Sequence, residues 1–269
     1  MFDFDNDELD NMSLVDAGLA VSAEIKSSLS QSIVKRELAQ LVEEAEQKLL
    51  TISDKSEQLE GLIELFYREW GFTGDYQEYF KSENIFLDSV IERRRGIPVT
   101  LGAIFLYLTE KLDLPVQAVN FPTQLILRVN IPGKSASFIN PFDGNVITSH
   151  LLEAWLKGHE GAFAKVTSAH LHPSSNSSII SRWLGVMKNI LLGEHQFDLA
   201  LRCSDLALIL NPDDPYEIRD RGFIFQQLDC NHIAASDFEY FIEQCPDDPS
   251  IEILRLQLKA LSEQGVVLH

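Results

Sequence analysis

Apolar residues fall three and four positions apart through Ile33, Leu38, Leu41, Val42, Ala45, Leu49 and Leu50, and again through Leu59, Leu62, Ile63, Leu65 and Phe66. That spacing puts each set on one face of an α-helix. Ser53-Asp54 between them supplies a break and a cap, so at least two amphipathic helices are predicted before Gly71. Residues 72–86, aromatic and polar with Gly74, predict an irregular connection. A long apolar helix is predicted from just after Pro98 to about Lys111, ended by Asp113-Leu114-Pro115 because proline disfavours helix at the residue before it.

The texture then changes to short β-rich runs at 116–120, 124–129 and 137–139, separated by Pro122, by Pro132-Gly133 and by Pro141-Phe142-Asp143-Gly144. These predict a small antiparallel sheet joined by turns. The polar run 172–178, His-Pro-Ser-Ser-Asn-Ser-Ser, is the expected domain boundary.

Beyond it the sequence repeats. Pro212-Asp213-Asp214-Pro215 recurs as Pro246-Asp247-Asp248-Pro249, an offset of 34 residues, which is the tetratricopeptide period. In that register Ala200 falls opposite Ala234 at the closest helix approach. Gly222, Phe225, Phe238 and Ala207 also take the small and large positions of the repeat, while Lys188 replaces the glycine in the first unit. A further amphipathic segment at 251–261 suits a closing helix. The expected division is therefore 1–70, an acidic leader, frayed or docked, with helices; 71–172, a helix-and-sheet core; and 180–269, two repeats at about 181–214 and 215–248 with their closing helix.

Hydrophobic residues make up 45% of the 269, as in an ordinary globular protein. The 22 Lys and Arg against 41 Asp and Glu leave a net charge of −19, which repels phosphate backbones and anionic membrane surfaces, so neither nucleic acid nor membrane is expected as a partner. The acidic start, Met-Phe-Asp-Phe-Asp-Asn-Asp-Glu, is opposite in charge to a signal peptide, and a cytoplasmic location is expected. Cys203, Cys230 and Cys245 are the three cysteines, so the first 202 residues hold no thiol.

The succession Phe86-Leu87 to Val90, Arg93-Arg94-Arg95-Gly96-Ile97-Pro98, Phe121-Pro122-Thr123-Gln124-Leu125 and Ile139-Asn140-Pro141-Phe142-Asp143-Gly144, ahead of the repeats, closely resembles the bacterial SirB/YchA family. The resemblance covers nearly the whole chain. It implies an α-rich α+β fold: a transglutaminase-like, papain-related domain followed by tetratricopeptide repeats. The family carries the name of an invasion-gene regulator and no established reaction, so what it implies of function is regulatory.

Chemistry of the transglutaminase-like kind needs a thiolate at the start of the long helix, a histidine on a following strand as base, and an aspartate on the next strand to orient it. In the positions that match, this sequence has Thr100, Gln124 and Asn140. All three keep hydrogen-bonding capacity while losing ionisation. No catalytic residue is therefore expected, and the triad positions are read as degenerate, with Thr100 capping a helix and the two amides bracing strands. A ligand role for the degenerate pocket and a hydrolase or transamidase acting through an unrecognised nucleophile are the rival readings.

Arg93, Arg94 and Arg95 form the only basic run, expected to pair with the chain's own carboxylates rather than with an acidic partner. His150, His159, His170 and His172 lie within 23 residues, but without acidic or thiol ligands at suitable spacing they are read as a solvated loop, and no metal is expected. Nucleotide-cradling glycine motifs are absent, and no cofactor is expected. The repeat register places Arg182, Asn189, Tyr216, Arg219, Phe223, Gln226 and Gln227 on an inner face suited to an extended peptide or a carboxylate terminus, or equally to packing on the N-terminal domain and stiffening the molecule. The expected function is a non-enzymatic cytoplasmic protein-interaction protein whose protein or peptide partner binds that face.

Overall fold

The computed structural model describes residues 5–265 and parts into two compact units, one of Asn6–Trp183 and one from Leu184 onward. At the start of the first unit the acidic leader docks from Asn6 onward. Helix α1 (Asn6–Asp10) buries Leu9, and α2 (Leu14–Ile25) begins at Ser13, whose hydroxyl accepts from the Asp16 amide. Eight of the residues of α2 are buried, so it has little polar face and shows weak amphipathic periodicity, which is why its pattern does not stand out in the sequence.

Helices α3 (Gln31–Leu49) and α4 (Lys55–Glu64) occupy the two periodic runs, and Asp54 caps α4 by accepting from the amides of Ser56 and Glu57. A π-helical turn at Leu65–Glu69 continues α4 and sets Phe66 between Phe72 and Phe105, with ring centroids 4.2 and 5.3 Å away. The connection that follows holds a two-residue strand, β1 (Thr73–Gly74), and a 3-10 turn at Ser82–Asn84. Next come α5 (Leu87–Arg93), β2 (Arg95–Gly96), which pairs in parallel with β1, and α6 (Pro98–Lys111). Ten of the fourteen residues of α6 are buried. A helix apolar all round must be covered on every side, and α2 and α3 pack against it. The helices before Gly71 thus share one unit with the sheet.

That sheet is antiparallel in the order β3 (Val116–Asn120), β4 (Leu125–Val129), β5 (Ser137–Ile139), with Val119 opposite Ile126 and Leu127 opposite Ile139. Leu125 faces α6 so closely that a Cβ on Gly102 would stand 2.5 Å from its Cδ2. Ile126 points the other way, into a cluster with Val119, Phe121, Leu152 and Leu156. Strand β4 is therefore covered on both faces, which explains its nearly unbroken apolar run.

Leu152 and Leu156 belong to α7 (Ser149–Glu160), capped by Thr148. This helix corrects the reading of the histidines as one solvated loop. His150 and His159 stand exposed on α7, while His170 lies in a 3-10 turn, its Nδ1 accepting from the Thr167 amide. Leu152 and Leu156 stand one turn apart on its buried face.

Helix α8 (Asn176–Gly193) begins within the polar run 172–178, and the division of the units falls later, between Trp183 and Leu184. Trp183 is the physical reason. Its ring lies against Gly18, where any Cβ would collide with it, and its Nε1 donates to Ile85 O at 3.1 Å, tying the first turns of α8 to the first unit.

In the second unit α9 (Phe197–Leu210), α10 (Pro215–Gln227), α11 (Asn231–Gln244) and α12 (Ile251–Gly265) pack in succession. Ala200 and Ala234 are fully buried, and a Cβ on Gly222 would stand 2.7 Å from the Phe238 ring, so the small positions of the repeat mark close approaches. Asp214, from the first repeated Pro-Asp-Asp-Pro, caps α10 by accepting from Tyr216 and Glu217 amides.

Candidate functional site

Gln124 is the residue before β4 and Asn140 the residue after β5. In an antiparallel pair the start of one strand adjoins the end of its neighbour, so these two side chains meet. Gln124 Nε2 donates to Asn140 Oδ1 at 3.1 Å, and the Phe142 amide donates to the same oxygen at 3.1 Å. The Asn140 carbonyl in turn accepts from the Gly144 amide, closing the tight turn that Gly144 enters with φ of 76°. Two polar ends remain without a protein partner among the described residues: Gln124 Oε1, an acceptor, and Asn140 Nδ2, a donor. Both residues are half-buried, so these ends are reachable.

Thr100 is not brought to them. It is fully buried, its Oγ1 accepting from Ile97 N at 3.1 Å and lying 3.0 Å from Asn84 O, to which it donates. The face of α6 turned toward the sheet carries Gly102, whose Cβ would meet Leu125 and, at 3.4 Å, Pro141. Thr100 instead joins, through Asn84, a network in which Arg93 of the basic run finds one of the chain's own carboxylates, as expected. Arg93 donates to Asn84 Oδ1 and to Asp75 Oδ2, both at 3.1 Å, and Asp75 also accepts from the amides of Gln77 and Glu78. Burial alone would raise the Asp75 carboxyl, but these hydrogen bonds outweigh it and hold it below the ordinary carboxylate range. Arg94, left-handed at φ 56°, lies 4.6 Å over the Phe72 ring, and Arg95 is exposed.

Phe142, whose amide holds Asn140, belongs to an aromatic cluster. The Phe142 ring occupies the space that a Cβ on Gly74 would need, with Tyr76 edge-on at 4.6 Å and Tyr79 at 6.0 Å. Arg182 reaches the turn that precedes β4. Although its sequence position suggested the repeat face, it belongs to the first unit, and its Nη2 donates to Pro122 O at 2.8 Å. Burial pulls its guanidinium down, and Tyr79 acts in the opposite sense. Among the described residues no carboxylate pairs with it. Nor do three His, Cys, Asp or Glu side chains converge as a metal site there or elsewhere among them.

Of the remaining residues expected on the repeat face, Asn189, Tyr216 and Gln227 are exposed. Arg219 is half-buried between the rings of Tyr216 and Phe241, 5.3 and 5.1 Å from their centroids, and donates to Asp220 at 2.9 Å. Phe223 packs on Phe238 at 4.8 Å, and Gln226 donates to Gln257 of α12 at 2.8 Å. The structure thus leaves part of that face open and turns part of it inward.

Comparison with known proteins places these features. The description of the transglutaminase-like superfamily matches residues 32–185, and that of the tetratricopeptide repeat matches residues 187–259. A UPF0162 protein of Vibrio cholerae is 47% identical over 270 residues, covering 100% of both chains. Protein SirB1 of Salmonella typhimurium is 42% identical with 97% of each chain covered, and the UPF0162 protein YchA of Escherichia coli K12 is 42% identical with 94% of each covered. No solved structure matches the chain.

Proposed function

The chain belongs to the SirB1/YchA family, a transglutaminase-like domain followed by tetratricopeptide repeats, and from that premise we propose that it is a non-enzymatic, regulatory protein-interaction protein of the cytoplasm. The observation that carries this reading is the Gln124–Asn140 hydrogen bond. Where a papain-like site would hold a base and its orienting carboxylate, two amides face each other, and neither takes up a proton near neutral pH. The nearest hydroxyl on the helix start, Thr100, is committed to Ile97 and Asn84. No helix among the described residues is long and apolar enough to cross a membrane. The open part of the repeat face, with Asn189, Tyr216 and Gln227, and Arg219 beside them, is the surface for a protein partner in this reading.

The test is direct. The purified chain is incubated with a glutamine-containing peptide and a primary amine, and ammonia release and amine incorporation are followed. The expected result is the buffer rate. Turnover that disappears in Thr100→Ala would replace this reading with that of a hydrolase or transamidase.

A further inference from the structure

Helices α3 and α5 pack against each other beside an open cleft of about 540 Å³. Ile33, Val34 and Glu37 reach it from one turn of α3, and Asp88, Ile91 and Glu92 from one turn of α5, so each helix brings apolar surface and carboxylate to it together. Arg94, which ends α5, lines the same cleft. Its backbone holds a left-handed φ of 56°, where glycine would be unstrained, and its carbonyl accepts from the Thr73 amide at 2.9 Å. The guanidinium lies over the Phe72 ring, makes no hydrogen bond to another described residue, and has Nη1 shut off from water as well. Burial disfavours its charge, while the fields of Glu37 and Glu44 act in the opposite sense, which puts the guanidinium within electrostatic reach of a carboxylate of the cleft.

The lining charges are largely matched by neighbours. Lys26 pairs with Asp88 at 3.5 Å and Arg36 with Glu37 at 3.3 Å. Left over are one charge of each sign, Glu92 and Arg94, neither with an ion-pair partner among the described residues. We propose that the cleft binds a free dipeptide, its amino terminus at Glu92 and its carboxylate at Arg94. A compact space of that volume is about 10 Å across, and two extended residues span about 7 Å, which leaves room for a hydrogen bond at either end. A guanidinium matches a carboxylate in planar geometry. A polyanion would meet the carboxylates of both helices, and a polyamine would meet Arg94, so a zwitterion suits the cleft better than either. Ile33, Val34 and Ile91 offer apolar contact, which favours aliphatic side chains. The site uses none of Thr100, Gln124 and Asn140, so it stands or falls separately from the non-catalytic reading.

The full chain, labelled at the isoleucine δ1 methyls, is titrated by NMR with the dipeptide Leu-Leu, its N-acetyl form, its carboxamide, free leucine and spermidine. The methyl resonances of Ile33 and Ile91, assigned through Ile33→Val and Ile91→Val, report the cleft. The expected result is saturable shifts of both with Leu-Leu, and binding at least roughly tenfold weaker for each blocked form, which lacks one of the two charges. Leucine, whose charges stand one carbon apart, and spermidine should also bind more weakly. Glu92→Gln, an exposed position, should lower Leu-Leu to the level of its N-acetyl form, and Arg94→Gln to the level of its carboxamide. A blocked form or leucine binding as tightly as Leu-Leu, spermidine binding more tightly than it, or no movement of either methyl at millimolar Leu-Leu, overturns the proposal on the wild-type chain alone.

Discussion

Lys188 Nζ lies 2.8 and 2.7 Å from the two carboxylate oxygens of Glu217, and it does so at the position where the second repeat carries Gly222. Asp220 accepts from the same ammonium at 2.9 Å, and the Ser204 hydroxyl donates to Glu217 at 2.6 Å. A side chain of four methylenes thus takes the place of a close helix contact, and its charge is neutralised by the facing helix. Lys188 is only 5% exposed and Glu217 16%.

Removing the ammonium leaves the largely buried Glu217 carboxylate with only the Ser204 hydroxyl, while Asp220 keeps Arg219. Lys188→Met is expected to destabilise the second unit by about 3 kcal/mol, read from urea unfolding followed by circular dichroism. Adding Glu217→Leu should recover part of that loss, since the uncompensated charge goes with it. A Lys188→Met chain as stable as wild type would mean that the ion cluster contributes nothing to holding α8 on α10.

The same cluster bears on the cysteines. Burial pushes the Cys203 thiol up to about 12, with Lys188 acting against the shift and Glu217 with it. Cys230 is exposed at the start of α11. Alkylation by iodoacetamide at neutral pH, mapped by mass spectrometry, should therefore modify Cys230 first and reach Cys203 only on unfolding. Early labelling of Cys203 would show that the packing of α9 opens in the native state.

The legibility of these features follows the physics of each. The helix from Pro98 to Lys111 and the strands at 116–120 and 137–139 coincide with what the sequence predicts, because proline, glycine and β-branched runs mark their ends. The 34-residue period reads through because each repeated unit meets the same packing demand at Ala200 and Ala234. Helix α2 escapes because it is buried nearly all round, whereas the Leu152–Leu156 spacing of α7 is a helical signal legible in the sequence. The proximity of Gln124 and Asn140 follows from antiparallel order, whereas the course of Arg182 depends on Trp183 finding Gly18, a pairing 165 residues apart that no local pattern encodes. That the basic run pairs with the chain's own carboxylates is legible from charge and holds for Arg93, but that the partner is Asp75 is not, because the two are joined by a connection with no regular period.

That pair gives a pH-dependent prediction. Asp75 is 3% exposed and its carboxyl is held below its ordinary value of 3.8, so its stabilisation is complete above that value and lost as pH falls through the lower folded value. Asp75→Asn should cost about 2 kcal/mol at pH 7, measured by urea unfolding. The gap from wild type should narrow as the pH is lowered below 3.8. A gap that stays constant down to strong acid would show that the ionised form makes no special contribution.

The proposal that positions 124 and 140 are the sites of a lost base and orienting carboxylate can be tested by placing an ionisable pair there. Gln124 Nε2 and Asn140 Oδ1 are 3.1 Å apart, and both side chains are half-buried. In the double variant Gln124→His/Asn140→Asp, the imidazole and carboxylate should meet at hydrogen-bonding distance. A carboxylate at that range favours the imidazolium, so the imidazole should titrate above its unperturbed value of about 6.5 by roughly one unit. NMR titration of its ring protons measures this. Stability follows in the same sense: relative to the single Gln124→His variant, the added carboxylate stabilises the fold below the unfolded imidazole value, and the gain is lost as pH rises through the folded one. Amide turnover should nevertheless stay at the buffer rate, because Thr100 remains committed to Ile97 and Asn84 and no thiol exists before Cys203. An unshifted imidazole would show that positions 124 and 140 do not form a pair in solution. A shifted imidazole accompanied by turnover would show that a nucleophile is already in place and that only the base had been lost.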